Sequence, residues 1–267
     1  MSRITGAGTS EGTASLQSVR NFRDIGGVPV ADGRRLRPGL VYRSGHFGSA
    51  SEADRATLRN LGVRLIDLRN AWEAELEDLE QPSVPAEAAA LTEAVDPDTD
   101  LWEDFRSARV AKLAQTLTDR DAEKAMLRLY SGTIAGNPSP FAACLTSLAT
   151  GALPVVVHCS AGKDRTGWAI AVLLEALGAR QEDIYADYEV SSLVENQYVI
   201  RTPDGDSVKV TPDVQAIINP LMEARPKYLE AAWATVEKTW GSRASYLEHG
   251  LGLTPELLAT LRQRLTA

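Results

Sequence analysis

The sequence predicts an α/β fold in which a central sheet is flanked by helices. Two short apolar runs, residues 63–68 and 154–157, are rich in β-branched side chains and are predicted to be buried strands. Helical patterns lie next to both runs, and Gly62 and Gly178 are positioned to end helices. This alternation of helix and strand indicates an α/β chain rather than an all-helical or all-β one.

The N-terminal part begins with residues 1–18, which are rich in Gly, Ser and Thr and are predicted to be a disordered tail. Residues 28–30 and 40–42 are predicted to be the strands of a short β-meander, and a helix capped by Ser51 follows. Residues 70–100 are acidic and poor in aromatic side chains, which favours a mobile connection.

Helical patterns dominate the rest of the chain. They cover residues 101–117, 122–130, 139–150 and 167–177 and much of the C-terminal third, where Thr211-Pro212 and Thr254-Pro255 repeat a cap-then-proline helix start. No internal repeat or clean boundary divides the chain, so residues 19–267 are predicted to form a single domain.

The composition narrows the possible functions. A formal net charge of −8 disfavours bulk attraction to nucleic acid or anionic membranes, so any anion site must be built locally. Two cysteines are too few for a disulfide framework, and His46 and His249 lack neighbours with metal-ligand spacing. The longest apolar stretch, 168–174, is too short to span a bilayer. These features predict a cytoplasmic protein without metal, cofactor or stable membrane insertion, and leave open export without a cleavable signal.

The segment that carries chemistry is 158–167, HCSAGKDRTG, which joins the second predicted strand to a helix. A loop entering a helix N-terminus directs several backbone N–H groups at one point, and the helix dipole adds partial positive charge. Small residues let such a backbone curl round a tetrahedral oxyanion, and two basic side chains add full charges. The predicted phosphate-binding residues are Ser160, Ala161, Gly162, Lys163, Asp164, Arg165 and Thr166.

Cys159 stands at the head of this loop, where positive surroundings favour the thiolate, the nucleophilic form of cysteine. Arg165 follows six positions later, and its planar fork can grip two phosphate oxygens, while Thr166 can offer a hydroxyl to the thiolate or to water. A buried core thiol and a sulfurtransferase loop remain as alternatives. A Walker-type nucleotide loop is excluded, because Val157 and Asp164 stand where it requires Gly and Ser or Thr.

The loop resembles that of the protein-tyrosine phosphatases, and most closely their bacterial tyrosine/dual-specificity branch. Segments 21–27 (NFRDIGG), 42–44 (YRS) and 67–69 (DLR) match further signatures of the family in the same order, although the resemblance weakens between 71 and 137. It implies a protein-tyrosine-phosphatase-like sheet flanked by helices, with a helical lid insertion at about 101–137. It also implies metal-independent hydrolysis of phosphomonoesters through a cysteinyl-phosphate intermediate, on substrates from phosphotyrosine-containing proteins to phosphoinositides.

The resemblance further implies a general acid on a loop after the strand that ends at Asp67. Asp96 is the first candidate, Asp98 the second and Asp164, inside the phosphate loop, the third. The alternative is that the three aspartates around Pro97, which are Asp96, Asp98 and Asp100, are only solvated loop charges. Four other charged residues are expected to brace the loop through ion pairs, with contact to substrate as the alternative: Arg23, Asp24, Asp67 and Arg69.

The sequence leaves open two alternatives to a tyrosine phosphatase, a phosphoinositide phosphatase and a pseudophosphatase. If the long side chain of Lys163 reaches past the bound phosphate to a second anion, the enzyme acts on phosphoinositides; otherwise Lys163 only adds positive potential. A pseudophosphatase would keep the anion cradle without turnover, although the intact Cys159 and Arg165 pair argues against it. Cys144 is expected to be a core residue, with a reversible disulfide to Cys159 as the alternative.

Overall fold

The computed structural model describes residues 14–70, 73–74, 86–88, 101, 104, 109–200 and 207–267. Within these residues, five strands form one sheet in the order β1-β2-β5-β3-β4. The strands are β1 (Arg23–Asp24), β2 (Val41–Ser44), β3 (Arg64–Asp67), β4 (Ala86–Ala88) and β5 (Val155–His158). The predicted α/β class is confirmed, and both β-branched runs are strands of this sheet.

The register of the sheet brings three strand ends together. β5 lies between β2 and β3 and is parallel to both, so His158 lies beside Ser44 and Asp67. β4 extends the parallel part beyond β3, whereas β1 is antiparallel to β2. The carboxyl ends of the three central strands thus meet at one edge, the edge at which open α/β sheets bind ligands.

The sheet separates two hydrophobic cores. Val156 is fully buried with Tyr42 and Leu65 on one face. Val155 and Val157, also fully buried, face the larger core on the other side. Because successive side chains of a strand point to opposite faces, a strand covered on both sides needs the continuous β-branched run that the sequence shows.

Helices cover both faces of the sheet. The longer ones are α1 (Glu52–Leu61), α2 (Val110–Thr116), α3 (Asp119–Arg128), α4 (Ser139–Thr150), α5 (Asp164–Leu177), α6 (Gln181–Glu189), α7 (Pro212–Met222), α8 (Pro226–Trp240) and α9 (Pro255–Leu265). Ser51 forms the predicted cap of α1, and Gly62 ends that helix with φ 62°. None of the described helices combines the length and apolarity needed to cross a membrane.

The N-terminal meander differs from its prediction. The strand that pairs with β2 is Arg23–Asp24, and residues 28–30 contribute only an isolated bridge between Pro29 and Arg35. The hydrogen bonds on either side of this bridge join the Leu36 N–H to the Val28 carbonyl at 2.9 Å and the Val30 N–H to the Arg34 carbonyl at 3.0 Å. The pairing is short because the chain turns back at residues 31–33. The chain then turns at Asp32, whose φ is 59°.

The tail and lid predictions fall partly outside the described residues, which omit 1–13 and most of 71–108. The backbone N–H groups of Gln17 and Ser18, in the predicted tail, donate to Asp54 at 2.7 and 3.0 Å, so the described chain reaches back into that segment. Within the predicted lid, α2 and α3 pack against α7. The lid assignment itself stays a prediction.

Candidate active site

The loop 159–163 connects β5 to α5 at the edge where the three central strands end. Gly162 has φ +66°, and a Cβ atom at this position would lie 2.3 Å from the carbonyl carbon and oxygen of Ser44. Only glycine accommodates both the left-handed backbone and this close approach. The loop is therefore curled tightly against the end of β2.

Side chains from other elements hold the carbonyl groups at the back of the loop. The Asn21 amide donates to the carbonyls of Ala161 and Gly162 at 3.2 and 2.9 Å. Arg43 Nη2 donates to the Gly162 carbonyl at 2.7 Å. Because the N–H of a trans peptide group points opposite to its C=O, these bonds turn the N–H groups of the same peptide units towards the front of the loop.

A buried ion-pair network stands behind these contacts. Asp187 accepts hydrogen bonds from Arg23 Nε at 3.1 Å and from Arg43 Nη1. Burial alone would raise the pKa of Asp187, but the charges of Arg23 and Arg43 lower it below its ordinary value. Burial, with a contribution from Arg43, lowers the pKa of Arg23 to about 10. The expectation that Arg23 takes part in a brace is confirmed, while Arg43 and Asp187 were not predicted as its partners.

Cys159 is the first residue after β5, is 2% exposed and lines a cleft in front of the loop. Lys163 and Arg165 line the same cleft, so the thiol shares it with two basic side chains. The Thr166 hydroxyl is buried in the first turn of α5 and has no hydrogen-bond partner among the described residues. Such a hydroxyl can donate to a thiolate or to a water molecule.

Arg165 is held by a carboxylate that the sequence analysis did not identify. Its guanidinium forms a two-point ion pair with Glu73, in which Nη2 lies 2.7 Å from Oε1. Glu73 is fully buried and also accepts the Ser160 hydroxyl at 3.1 Å. Asn70 and Glu73 exchange hydrogen bonds at 3.0 Å, each backbone N–H donating to the other side chain. These contacts fix the orientation of the guanidinium fork at the cleft.

Asp164 opens α5 and contributes a carboxylate to the cleft. The Tyr130 hydroxyl donates to Asp164 Oδ1 at 2.8 Å and lies 2.6 Å from the Tyr188 hydroxyl. Burial, reinforced by the Asp164 charge, raises the pKa of both phenols well above the ordinary value, so they remain donors. Tyr130 lies on the wide turn Leu129–Ile134 that extends α3, and such π-type turns recur at functional sites.

Lys163 is 3% exposed, and its Nζ donates to the backbone carbonyls of Leu221 and, at 3.2 Å, Glu223. Burial lowers the pKa of this ammonium, and Asp164 at 3.4 Å opposes that shift. The ammonium therefore faces the C-terminal end of α7. One of the two expectations for Lys163 required its ammonium to extend past the loop towards a second anion. The ammonium instead binds the backbone carbonyls of Leu221 and Glu223.

The other predicted bracing residues divide into two groups. Asp67 pairs with Arg69 at 2.7 Å and lies 3.8 Å from His158 Nε2, next to the head of the loop. Burial alone would raise the pKa of Asp67, but the positive charges of His158 and Arg69 have the larger combined effect and lower it below its ordinary value. Asp24 does not brace the loop. It accepts backbone N–H bonds from Gly26 and Gly39, which organises its own turn.

Asp96 and Asp98 lie outside the described residues, so Asp164 is the acid candidate for which the structure gives a geometry. Cys144 is buried in α4, and burial raises the pKa of its thiol to about 12, which suits a core residue. No group of three or more metal-ligating side chains occurs in the part of the chain that the structure describes.

The loop, the end of α7 and the segment 191–198 line a cleft that opens to solvent. The cleft brings together the thiol of Cys159, the guanidinium of Arg165 and the carboxyl group of Asp164. Its lining residues are Cys159, Ser160, Ala161, Lys163, Asp164, Arg165, Ser191, Asn196, Gln197, Tyr198, Leu221 and Met222.

Comparisons with known proteins find matches that extend over most of this chain. A family model described as the tyrosine phosphatase family matches residues 14–267. A protein of Cupriavidus necator with a provisional tyrosine-protein phosphatase name is 33% identical over 243 residues, covering 89% of this chain and 83% of its own. The triple specificity protein phosphatase PtpB of Mycobacterium tuberculosis is 28% identical over 266 residues, covering 87% of this chain and 91% of its own.

Proposed function

This chain belongs to the tyrosine phosphatase family, and we propose that its cleft hydrolyses phosphotyrosine in protein substrates with Cys159 as the nucleophile. It is a phosphoric monoester hydrolase of tyrosine or dual specificity. One observation carries the residue assignment. The buried Glu73 holds Arg165 at two points, so the guanidinium has a fixed position in the wall of the cleft that also contains the thiol at the head of the loop.

In the first step, the Cys159 thiolate attacks phosphorus and forms an S–P bond while the P–O bond to the leaving group breaks. The loop N–H groups and Arg165 bind the equatorial oxygens, whose charge grows in the transition state. Asp164 protonates the departing oxygen. In the second step, water attacks phosphorus, Asp164 takes the water proton, and inorganic phosphate leaves with the thiolate restored.

Asp164 is assigned as the acid because it lines the cleft and because a buried phenol orients it. Tyr130 holds one carboxylate oxygen, which leaves the other for proton transfer. Tyr130 is thus a positioning residue, and the Tyr188 hydroxyl in turn positions Tyr130.

The contacts of Lys163 favour a protein substrate over a phosphoinositide. A second phosphate on the same inositol ring would need a cation inside the cleft, and the Lys163 ammonium already binds two backbone carbonyls. The proposed compartment is the cytoplasm, where thiols such as that of Cys159 are kept reduced. The intact Cys159 and Arg165 pair disfavours a pseudophosphatase.

The test is a turnover assay on phosphotyrosine peptides, phosphoserine peptides and phosphoinositide micelles side by side, with EDTA present. We expect the highest kcat/KM on phosphotyrosine peptides, undiminished by EDTA and abolished by vanadate or thiol alkylation. A higher kcat/KM on phosphoinositides would refute the protein-substrate assignment. Activity lost on chelation and restored by a divalent cation would refute the cysteine mechanism itself.

A further inference from the structure

Five arginines lie together at the end of the molecule opposite the catalytic cleft. They are Arg34, Arg35, Arg37, Arg262 and Arg264, and we call them the arginine patch. Backbone hydrogen bonds pair residues 35–37 with residues 265–267, and the Arg37 N–H donates to the Leu265 carbonyl at 2.7 Å. This pairing brings the three arginines that precede β2 next to the two in the last turn of α9.

Helix α5 gives the distance between the patch and the phosphate loop. It begins at Asp164, beside the loop, and its 14 residues correspond to a length of about 20 Å. At its far end the Arg262 guanidinium donates to the Ala176 carbonyl at 3.5 Å, and a Cβ atom on Gly178 would lie 2.8 Å from the Ala31 Cβ. The patch therefore lies near the amino ends of the central strands, whereas the cleft lies at their carboxyl ends.

Part of the patch has a structural role. Arg264 Nη2 donates to the Gly151 carbonyl at the end of α4, and Arg37 Nε donates to the Thr266 carbonyl at the end of α9. These bonds satisfy carbonyl groups that helix ends leave without intrahelical partners. Arg34 differs, because its exposed side chain makes no hydrogen bond or ion pair with any residue that the structure describes. Helix capping therefore does not account for the whole patch.

The patch is positive in a protein that is negative overall. Residues 26–40 and 260–267 contain the five arginines and one acidic residue, Asp32, whereas the whole chain has a net charge of −8. Within the described part of the chain, none of the five arginines forms an ion pair with a carboxylate. Positive charges held together without counter-charges repel one another, so an anionic partner would be stabilised at this surface.

The spacing of two of the arginines matches an extended polypeptide. Arg35 and Arg37 are exposed and stand two residues apart on a strand-like segment, in which the intervening Leu36 is fully buried. Alternate residues of an extended chain lie on one face about 6.6 Å apart, so carboxylates at alternate positions of a second extended chain have the same spacing. A membrane bound at this end would instead hold the cleft away from the bilayer.

We propose that the arginine patch is a docking surface for an acidic, extended segment of a polypeptide partner. Such a partner can bind about 20 Å from the phosphate loop and leave the cleft free, because the two surfaces lie at opposite ends of α5. Docking there does not depend on the catalytic residues assigned above.

The test measures fluorescence anisotropy of a labelled peptide in which Glu alternates with Ser, against a matched peptide in which Gln replaces Glu. We expect the full chain to bind the Glu peptide at least about fivefold more tightly, as several exposed charge pairs allow, and to lose this preference in high salt. Arg34→Ala with Arg37→Ala should abolish the preference, and Lys at both positions should retain part of it.

Two further variants separate docking from folding and from net charge. Arg34→Glu changes an exposed side chain that makes no structural contact, so it should lose the preference without affecting the fold. The matched control is Arg120→Ala with Lys238→Ala, which removes the same charge from exposed residues outside the patch. All variants should keep the wild-type kcat on p-nitrophenyl phosphate.

An unchanged preference in the patch variants, or an equal loss in the control variant, would overturn the docking surface. Binding to phosphatidylserine vesicles without binding to the Glu peptide would overturn it in favour of a membrane. A dimer that the patch variants dissociate would overturn it in favour of a second copy, whose residues 71–100 contain ten acidic and no basic residues. Failure of the proposed function is distinct, because peptide binding is measured without turnover.

Discussion

The front and the back of the phosphate loop are built in different ways. At the front, side chains of the loop and the helix after it face the cleft, and Glu73 and Tyr130 orient Arg165 and Asp164. At the back, the loop contributes mainly backbone carbonyls, and side chains from distant elements supply the donors. The structure of the front therefore depends on the side chains that the loop sequence itself provides. The structure of the back depends on where the rest of the fold places the Asn21 amide and the Arg43 guanidinium.

This difference predicts two kinds of variant. Substitutions at the front should change turnover while the fold remains stable, because the side chains concerned face the cleft. Substitutions at the back should change the free energy of unfolding, because they leave buried polar groups without partners.

The largest effect should follow from Cys159→Ser at the front. Without a thiolate no cysteinyl-phosphate forms, so hydrolysis of p-nitrophenyl phosphate should fall below detection. Binding of inorganic phosphate, measured by calorimetry, should persist because the loop is intact. Cys144→Ser is the matched control and should retain activity. Substantial turnover by the Cys159 variant would refute the nucleophile assignment.

At the back, Asp187→Asn should lower the free energy of unfolding by about 3 kcal/mol, because it leaves the buried guanidinium of Arg43 and the partly buried one of Arg23 short of a counter-charge. The folded-state pKa of Asp187 lies below the unfolded value of about 3.9. The ionised Asp187 therefore contributes fully to the free energy of unfolding above the unfolded-state pKa, and this contribution is lost as the pH falls through the folded-state pKa. Urea unfolding at pH 7 and pH 3 measures both effects.

The control for Asp187→Asn is Asp183→Asn, which removes the partner of an exposed arginine, Arg180, at the start of α6. It should change the unfolding free energy by less than about 1 kcal/mol. Equal effects of the two substitutions would show that the buried network does not brace the loop.

Arg165→Lys tests the clamp at the front. Lysine keeps the charge but loses the fork that Glu73 orients, so kcat should fall at least about tenfold, or about 1.4 kcal/mol. The unfolding midpoint should move little by comparison with Asp187→Asn. Steady-state kinetics on a phosphotyrosine peptide decide the point, and an unchanged kcat would leave Arg165 a structural role only.

Tyr130→Phe should have the smallest effect, since it removes one hydrogen bond from Asp164. A loss of about 1 kcal/mol would lower kcat about fivefold on alkyl phosphates, which need a proton donor. On p-nitrophenyl phosphate, whose leaving group needs no proton, the loss should be smaller. Tyr185→Phe, which removes a surface hydroxyl bonded to Gln181, is the control. Equal losses on both substrates would contradict the positioning role.

The front of the loop could be predicted from sequence because its chemistry is contiguous. Cys159 and Arg165 lie within ten residues, between a β-branched run and an amphipathic helix, and both patterns are local. The prediction of a strand at residues 28–30 was wrong because a local apolar pattern does not show that residues 23–24 pair with β2, or that the chain turns back after a single bridge at Pro29.

The partners of the loop could not be predicted in the same way. Glu73 is 92 residues from Arg165, and Asn21 is 141 residues from Gly162. No helical or strand periodicity relates such positions, because tertiary packing alone brings them together. The one local signal was the Asn70 and Glu73 spacing, which is that of a reciprocal helix cap. It marks a helix start and says nothing about Arg165.

The bond from Lys163 to the end of α7 makes an active-site residue the terminal cap of a remote helix. The last carbonyls of a helix lack intrahelical partners, and a cation there offsets the negative end of the dipole. Opening of the loop would therefore release the last turn of α7, against which α2 and α3 pack. If the loop and the end of α7 open together, binding of inorganic phosphate at the loop should slow amide hydrogen exchange around Leu221.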